Sequence, residues 1–205
     1  MTVLYDYWRS SASYRVRIAL EMAGIKWQSV SVNLLDGDQT APSHLARNPQ
    51  GLVPALEIDG EVLTQSLAIV EYLNETRSLG LLPAAPAERA KTRAVAHAVC
   101  MDIHPVCNLR VVGYAAENSE GRISKEAWMH HFITLGLAHV EEMIDGGDYC
   151  LGTGVTLADI CLVPQVYNAY RWGVDMTALP KIARVAAHLD TLPAFRAATP
   201  ENTPH

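Results

Sequence analysis

An α+β domain followed by an all-α domain is the fold class that this sequence predicts, and three features carry the prediction. Residues 3–76 alternate strand-like and helix-like patterning. Leu82-Pro83-Ala84-Ala85-Pro86 then interrupts both, because proline has no N–H and a fixed φ. Beyond it the apolar segments carry helical spacing. The expected layout is a first domain over residues 1–82, a linker at 83–86 and a helical domain over 87–205.

Val3 to Tyr7 reads as a strand. Tyr14, Ile18 and Met22 recur at i, i+4 and i+8 and give the next helix an apolar face, with Gly24 at its stop. Trp27 to Val32 alternates, Val30 and Val32 against Ser29 and Ser31. A short helix is expected around Ser43 to Arg47. Ala55 to Ile58 and Glu61 to Leu63 flank Asp59-Gly60, a two-residue hairpin signal. Ser66 is then expected to cap a helix to about Thr76. A first parallel crossover and a final antiparallel hairpin make a mixed sheet covered by helices.

In the second part, Ala87 to Ala116 reads as one long helix bent by Pro105. Glu117 to Arg122 reads as a polar loop and Ile123 to Ile144 as a second helix, broken at Asp145-Gly146-Gly147-Asp148. Thr156-Leu157-Ala158-Asp159 has capping-box spacing, flanked by Val155 and Ile160 at the staple positions, and opens a helix to about Tyr170. Shorter helices are expected near Lys181–Leu189 and Ala194–Ala198, with a disordered tail from Pro200.

The 205 residues are 49% apolar, enough for a substantial core, and a net charge of −6 speaks against nucleic acid as a partner. There is no run of 18 apolar residues and no basic-then-apolar leader, so no membrane span or signal peptide is expected and a cytoplasmic location is. Cys100, Cys107, Cys150 and Cys161 show no metal-ligand spacing and read as buried free thiols.

The stretch most charged with chemistry is Trp8-Arg9-Ser10-Ser11-Ala12-Ser13-Tyr14-Arg15-Val16-Arg17. It places hydroxyls at a helix N-terminus with cations on both sides, where unpaired N–H groups and the helix dipole favour an anion. A serine hydroxyl there can hold a thiolate, and because no cysteine lies in the stretch the sulfur has to come from a ligand. Local chemistry alone favours a plain helix cap, the commoner arrangement. Gln65-Ser66 opens another helix and suits a carboxylate, again with a plain cap as the alternative. His97 and His104 share a helix face without a third ligand, so no metal site is expected. His130 and His131 point in different directions, and Tyr170 and Trp172 read as core or rim.

Arg9-Ser10-Ser11 followed by Arg15-Val16-Arg17-Ile18-Ala19-Leu20 resembles the signature of the zeta-class glutathione transferases, the family of maleylacetoacetate and maleylpyruvate isomerases. Asn48-Pro49-Gln50-Gly51-Leu52-Val53-Pro54-Ala55-Leu56, Gln65-Ser66-Leu67-Ala68-Ile69 and Asp102-Ile103-His104-Pro105 resemble it in the same order, to about Phe195. The resemblance implies a thioredoxin-like N-terminal domain, an all-helical C-terminal domain, a site between them and a homodimer. It implies glutathione as cofactor, with its thiolate on Ser10 or Ser11, its cysteinyl backbone on Val53 ahead of a cis Pro54, and its γ-glutamyl end on Gln65 and Ser66. His104 becomes a further contact of glutathione, and Arg9, Arg110 and Arg171 become the grips for substrate carboxylates, suited by the planar guanidinium.

The activity implied is cis–trans isomerisation of a maleyl dicarboxylate, first 4-maleylacetoacetate to 4-fumarylacetoacetate, as in tyrosine degradation. Maleylpyruvate isomerisation, conjugation or dehalogenation of small α-halo acids, and a non-catalytic binding role are the alternatives. Three positions depart from the pattern: Ala12 stands where the family usually has cysteine, Leu52 where many members have glutamine, and Cys107 where bacterial members have asparagine.

Overall fold

The computed structural model describes residues 1–203, which form two compact units: Met1–Leu79 together with residues 191–203, and residues 80–190. In the first unit β1 (Val3–Asp6) leads through α1 (Ser11–Met22) to β2 (Gln28–Ser31). A short α2 (Pro42–Leu45) precedes the hairpin of β3 (Ala55–Ile58) and β4 (Glu61–Thr64), and α3 (Ser66–Arg77) follows it. The sheet order is β2-β1-β3-β4. Leu4 of β1 pairs in parallel with Ser29 of β2 and antiparallel with Leu56 of β3. This is the mixed sheet expected of a crossover followed by a hairpin. Asp59 and Gly60 both have positive φ, 55° and 88°, the conformation a two-residue hairpin needs to follow the strand twist.

All four residues of β1 are buried, as the central strand of a covered sheet must be. Ten consecutive residues of α1, Ser11 to Leu20, are buried as well, so the helix has no solvent face over that span. Its two interior cations are therefore buried too. Arg17 is paired on every nitrogen: Nη1 donates to Asp6 Oδ2 at 2.7 Å, Nη2 to the Trp8 carbonyl at 2.9 Å and Nε to the Ala198 carbonyl at 3.0 Å. That last bond brings the C-terminal segment onto α1.

The second unit runs α4 (Pro86–His97), α5 (His104–Val106), α6 (Leu109–Glu117), α7 (Lys125–Met143), α8 (Leu157–Arg171) and α9 (Pro180–Leu189). The single bent helix expected over 87–116 is instead divided. Residues Ala98–Ile103 widen into π-helix, Pro105 removes one N–H from the ladder, and Asn108 adopts an extended backbone and restarts the chain by accepting from the Arg110 N–H. The widened segment rests on α7 at Gly136, where a Cβ would sit 2.3 Å from Ile103 Cγ1; only a bare backbone permits that approach. Trp128 Nε1 of α7 donates to the Val106 carbonyl at 3.0 Å.

The chain then returns to the first unit through α10 (Pro193–Ala197), packed on α1. Residues 191–203 thus belong to the first unit, although the linker position assigns everything past 86 to the second. The disordered tail expected from Pro200 is also corrected: Pro200–Asn202 forms a 3₁₀ turn, and Pro200 and Thr203 are buried. Pro204 and His205 lie outside the described residues. Among those described, no helix is long and apolar enough to cross a membrane, and the four cysteines form no disulfide.

The start of α8 is fixed by a single carboxylate. Asp159, fully buried, accepts from the Thr156 N–H, the Thr156 hydroxyl and the Cys150 N–H, each at 2.7 Å. Replacing it with alanine strands buried donors. Asp159→Ala is expected to cost about 3 kcal/mol of unfolding free energy, read from the midpoint of a urea titration at unchanged slope.

Candidate functional site

The turn from β1 into α1 is built to aim one hydroxyl. The Ser10 N–H donates to the Tyr7 carbonyl at 2.8 Å, closing the turn. Ser10 keeps an extended backbone (φ −70°, ψ 119°) as N-cap of α1, and its Oγ accepts from the Ser13 N–H at 3.2 Å. As an acceptor in that bond, the hydroxyl retains its proton for donation at a helix N-terminus. Ser11 is the first helical residue and is buried, whereas Ser10 is half-exposed. Arg9 lies beside it with its guanidinium 4.5 Å from the Trp8 ring centroid, and Arg9 Nη2 donates to Tyr7 Oη at 3.3 Å. The stacked geometry holds the cation while leaving its Nε without a hydrogen-bond partner.

The loop before β3 presents a second feature. His44 Nε2 and Asn48 Nδ2 both reach the Leu52 carbonyl at 2.9 Å. The next peptide, Val53-Pro54, is cis. Val53 is half-buried, and its backbone N–H and C=O pair with no other group among the described residues. Sequence reasoning did not single out His44, and Asn48 entered only as the first residue of a quoted motif; a histidine and an asparagine four apart, just ahead of the Pro49-Gln50-Gly51 turn, were the available signal.

Gln65 has φ 68° and stands at the N-cap of α3 without a side-chain capping bond; its Nε2 donates to Gln50 Oε1 at 2.6 Å. Ser66, expected to be the cap, is instead the first residue inside the helix. It is buried, and its Oγ accepts from Arg15 Nη1 at 3.0 Å. The cap fails because the Ser66 hydroxyl points to Arg15 rather than to the helix backbone. The first turn of this twelve-residue helix therefore lacks a side-chain acceptor, the condition that favours an external anion.

The second unit carries the remaining candidates. His104 opens α5 and is half-buried directly after the π-helical segment. Arg110 is exposed in the first turn of α6, with no acidic side chain paired to it among the described residues. Arg171, also exposed, ends α8 with its guanidinium 5.7 Å from the Trp172 ring centroid. Both guanidinium groups belong to exposed residues at the ends of helices. No group of three potential metal ligands occurs among the described residues. His130 and His131 are exposed on α7.

The chain resembles known proteins over nearly its whole length. Residues 2–75 match the family described as glutathione S-transferase, N-terminal domain. The maleylacetoacetate isomerase of Rhizobium meliloti (strain 1021) is 56% identical over 205 residues, covering 98% of this chain and 96% of that one. A solved bacterial maleylpyruvate isomerase, a zeta-class glutathione S-transferase in its holo form, superposes with a TM-score of 0.93 at 40% identity, covering 98% of both chains. The maleylacetoacetate isomerase of Methylobacterium extorquens AM1, solved with malonate and glutathione bound, gives 0.91 at 38% identity, again over 98% of both.

Neither Cys107 nor Cys150 is poised as a nucleophile. Burial pushes the Cys107 thiol up to about 11 and raises Cys150 as well. At pH 8 only about one Cys107 in a thousand is thiolate. Labelling of native protein with a disulfide reagent at pH 8 is expected to leave Cys107 and Cys150 unmodified, to speed up roughly tenfold per pH unit at Cys107, and to reach all four thiols at once in urea; mass mapping of the labelled peptides reads each site.

Proposed function

Because the chain belongs to the zeta-class glutathione transferases, the family of the maleylacetoacetate isomerases, we propose that it converts 4-maleylacetoacetate to 4-fumarylacetoacetate with glutathione as cofactor. The observation that carries the reading is Ser10, half-exposed at the N-cap of a buried helix with its proton free to donate and Arg9 beside it.

The residues present fit glutathione. The side-chain-uncapped start of α3 with Ser66 and Gln65 suits its γ-glutamyl carboxylate, the unpaired backbone of Val53 suits its cysteinyl peptide, and the Ser10 hydroxyl suits its sulfur. When bound, glutathione supplies a thiolate whose reversible addition lets the conjugated double bond turn from cis to trans. Ser10 holds that negative sulfur by donating its hydroxyl proton, helped by the positive end of α1. Ser11, buried behind it, is the weaker partner. His104 adds a contact to glutathione. Arg9, Arg110 and Arg171 take the two carboxylates of the substrate and steady the enolate oxygen that gains charge on addition. No protein base of unusual pKa is required, because the thiolate that would add to the double bond is the same group that would leave on elimination. Ala12 in place of the family cysteine removes nothing that this route needs.

Maleylpyruvate is the second reading, favoured by the superposition on a maleylpyruvate isomerase; three arginines serve either dicarboxylate. Conjugation or dehalogenation of α-halo acids would consume glutathione, and a purely binding role would leave Ser10 without work. We place the protein in the cytoplasm as a homodimer acting in aromatic catabolism, with sedimentation velocity as the check on the dimer.

The test is absorbance-monitored turnover of both maleyl acids, coupled to hydrolysis of the fumaryl product. Turnover that requires glutathione and leaves its concentration unchanged supports the proposal; consumption of glutathione, or binding without turnover, overturns it. In the same assay Ser10→Ala is expected to lower kcat/KM about 100-fold, and Ser11→Ala only a few-fold. Arg110→Ala is expected to raise KM for the maleyl acid about tenfold with KM for glutathione unchanged.

A further inference from the structure

Two arginines sit two positions apart on α1, each only 2% exposed, and they are satisfied very differently. Arg17 has a carboxylate partner at 2.7 Å and two carbonyl acceptors. Arg15 has one bond, from Nη1 to Ser66 Oγ at 3.0 Å; its Nε and Nη2 are buried without an acceptor, and no acidic side chain lies within ion-pair distance of it among the described residues. A buried guanidinium with one neutral acceptor opposes folding, because its lost hydration is not repaid. An apolar side chain would fill the same place at lower cost. What the guanidinium does reach is the uncapped N-terminus of α3.

Hydroxyl geometry gives the charge a direction. A serine oxygen can accept and donate at once. With Arg15 occupying a lone pair of Ser66 Oγ, the hydroxyl polarises toward donation, and a donor at an uncapped helix start is matched by an anion. We propose that Arg15 is a positioning residue for the anionic γ-glutamyl end of glutathione, acting through Ser66: the guanidinium orients the hydroxyl, and the hydroxyl together with the first-turn N–H groups takes the α-carboxylate. This rests on the reading of the first unit as the glutathione site. The bound carboxylate then supplies the negative charge that the chain itself does not place near Arg15.

The proposal makes stability and affinity move in opposite directions. Arg15→Met keeps the volume and removes the unpaired charge, so ligand-free Arg15→Met is expected to melt no lower than the parent while its Kd for glutathione, measured calorimetrically, rises about tenfold. Arg15→Lys, which keeps a charge within reach of Ser66, is expected to fall between the two and guards against misfolding of the first variant. The decisive ligand is γ-aminobutyryl-cysteinyl-glycine, which lacks only the α-carboxylate. It is expected to bind the parent more weakly than glutathione and to bind Arg15→Met and the parent alike. Equal weakening of both ligands by the substitution overturns the proposal, as does an unchanged Kd for glutathione in folded Arg15→Met or Arg15→Lys. Failure of the parent to bind glutathione at all overturns the reading of the site itself, and is told apart because it needs no variant.

Discussion

One guanidinium organises the first unit. Arg17 joins the end of β1 through Asp6, the following turn through the Trp8 carbonyl, and the returning C-terminal segment through the Ala198 carbonyl. The ion pair with Asp6 is almost wholly buried. Losing either partner would leave a bare charge in the core, at about 3–5 kcal/mol. The bond to Trp8 matters most for the candidate site, because the next two residues are Arg9 and Ser10. A turn of four residues between a strand and a helix has little stiffness of its own. Pinned from inside by Arg17, closed by Ser10 on Tyr7 and stacked on one flank by Arg9 over Trp8, it holds the Ser10 hydroxyl in one place.

The second unit solves a related problem with backbone rather than charge. His104 lies within, and Arg110 just after, a stretch that leaves regular α-helical geometry between Ala98 and Asn108. Such a stretch needs a rigid support, and α7 provides it: Gly136 admits Ile103 where any side chain would collide, and the Trp128 indole holds the Val106 carbonyl. Of the arginines proposed for the substrate, Arg110 and Arg171 are exposed and Arg9 is half-buried, whereas Arg15, proposed to position glutathione, is buried. That division is what the chemistry asks for, since a diffusing dicarboxylate must meet solvated cations while a permanent anion pocket can hold its charge in the core.

Sequence patterning reached the local features well and the long-range ones poorly. The period-2 strands, the Asp59-Gly60 turn and the Thr156–Asp159 box are decided by residues within a few positions of one another, so each was legible. The break of the helix after His97 was not, because a proline predicts only a bend while the π-helical turns depend on packing against Gly136. Ser66 looked like a cap because serine caps often; its hydroxyl is diverted by Arg15, 51 residues away. The return of residues 191–203 to the first unit was hidden for the same reason: an arginine in a helix reads as a solvated face until the carbonyl it binds is known. Of the candidate site, the residues came from motifs, whereas their burial and partners came only from the fold.

The central claim is that a cap hydroxyl at the start of α1 stabilises a sulfur anion that the chain does not itself supply. The most direct measurement is an ultraviolet difference titration of the thiolate band of bound glutathione against pH, in the parent protein and in Ser10→Ala. The account predicts that the bound thiol ionises at least one pH unit below free glutathione (about 1.4 kcal/mol of preference for the anion) and that Ser10→Ala returns it most of the way while glutathione stays bound. A bound thiol that titrates like free glutathione in the parent, or one whose shift survives in Ser10→Ala, would contradict it.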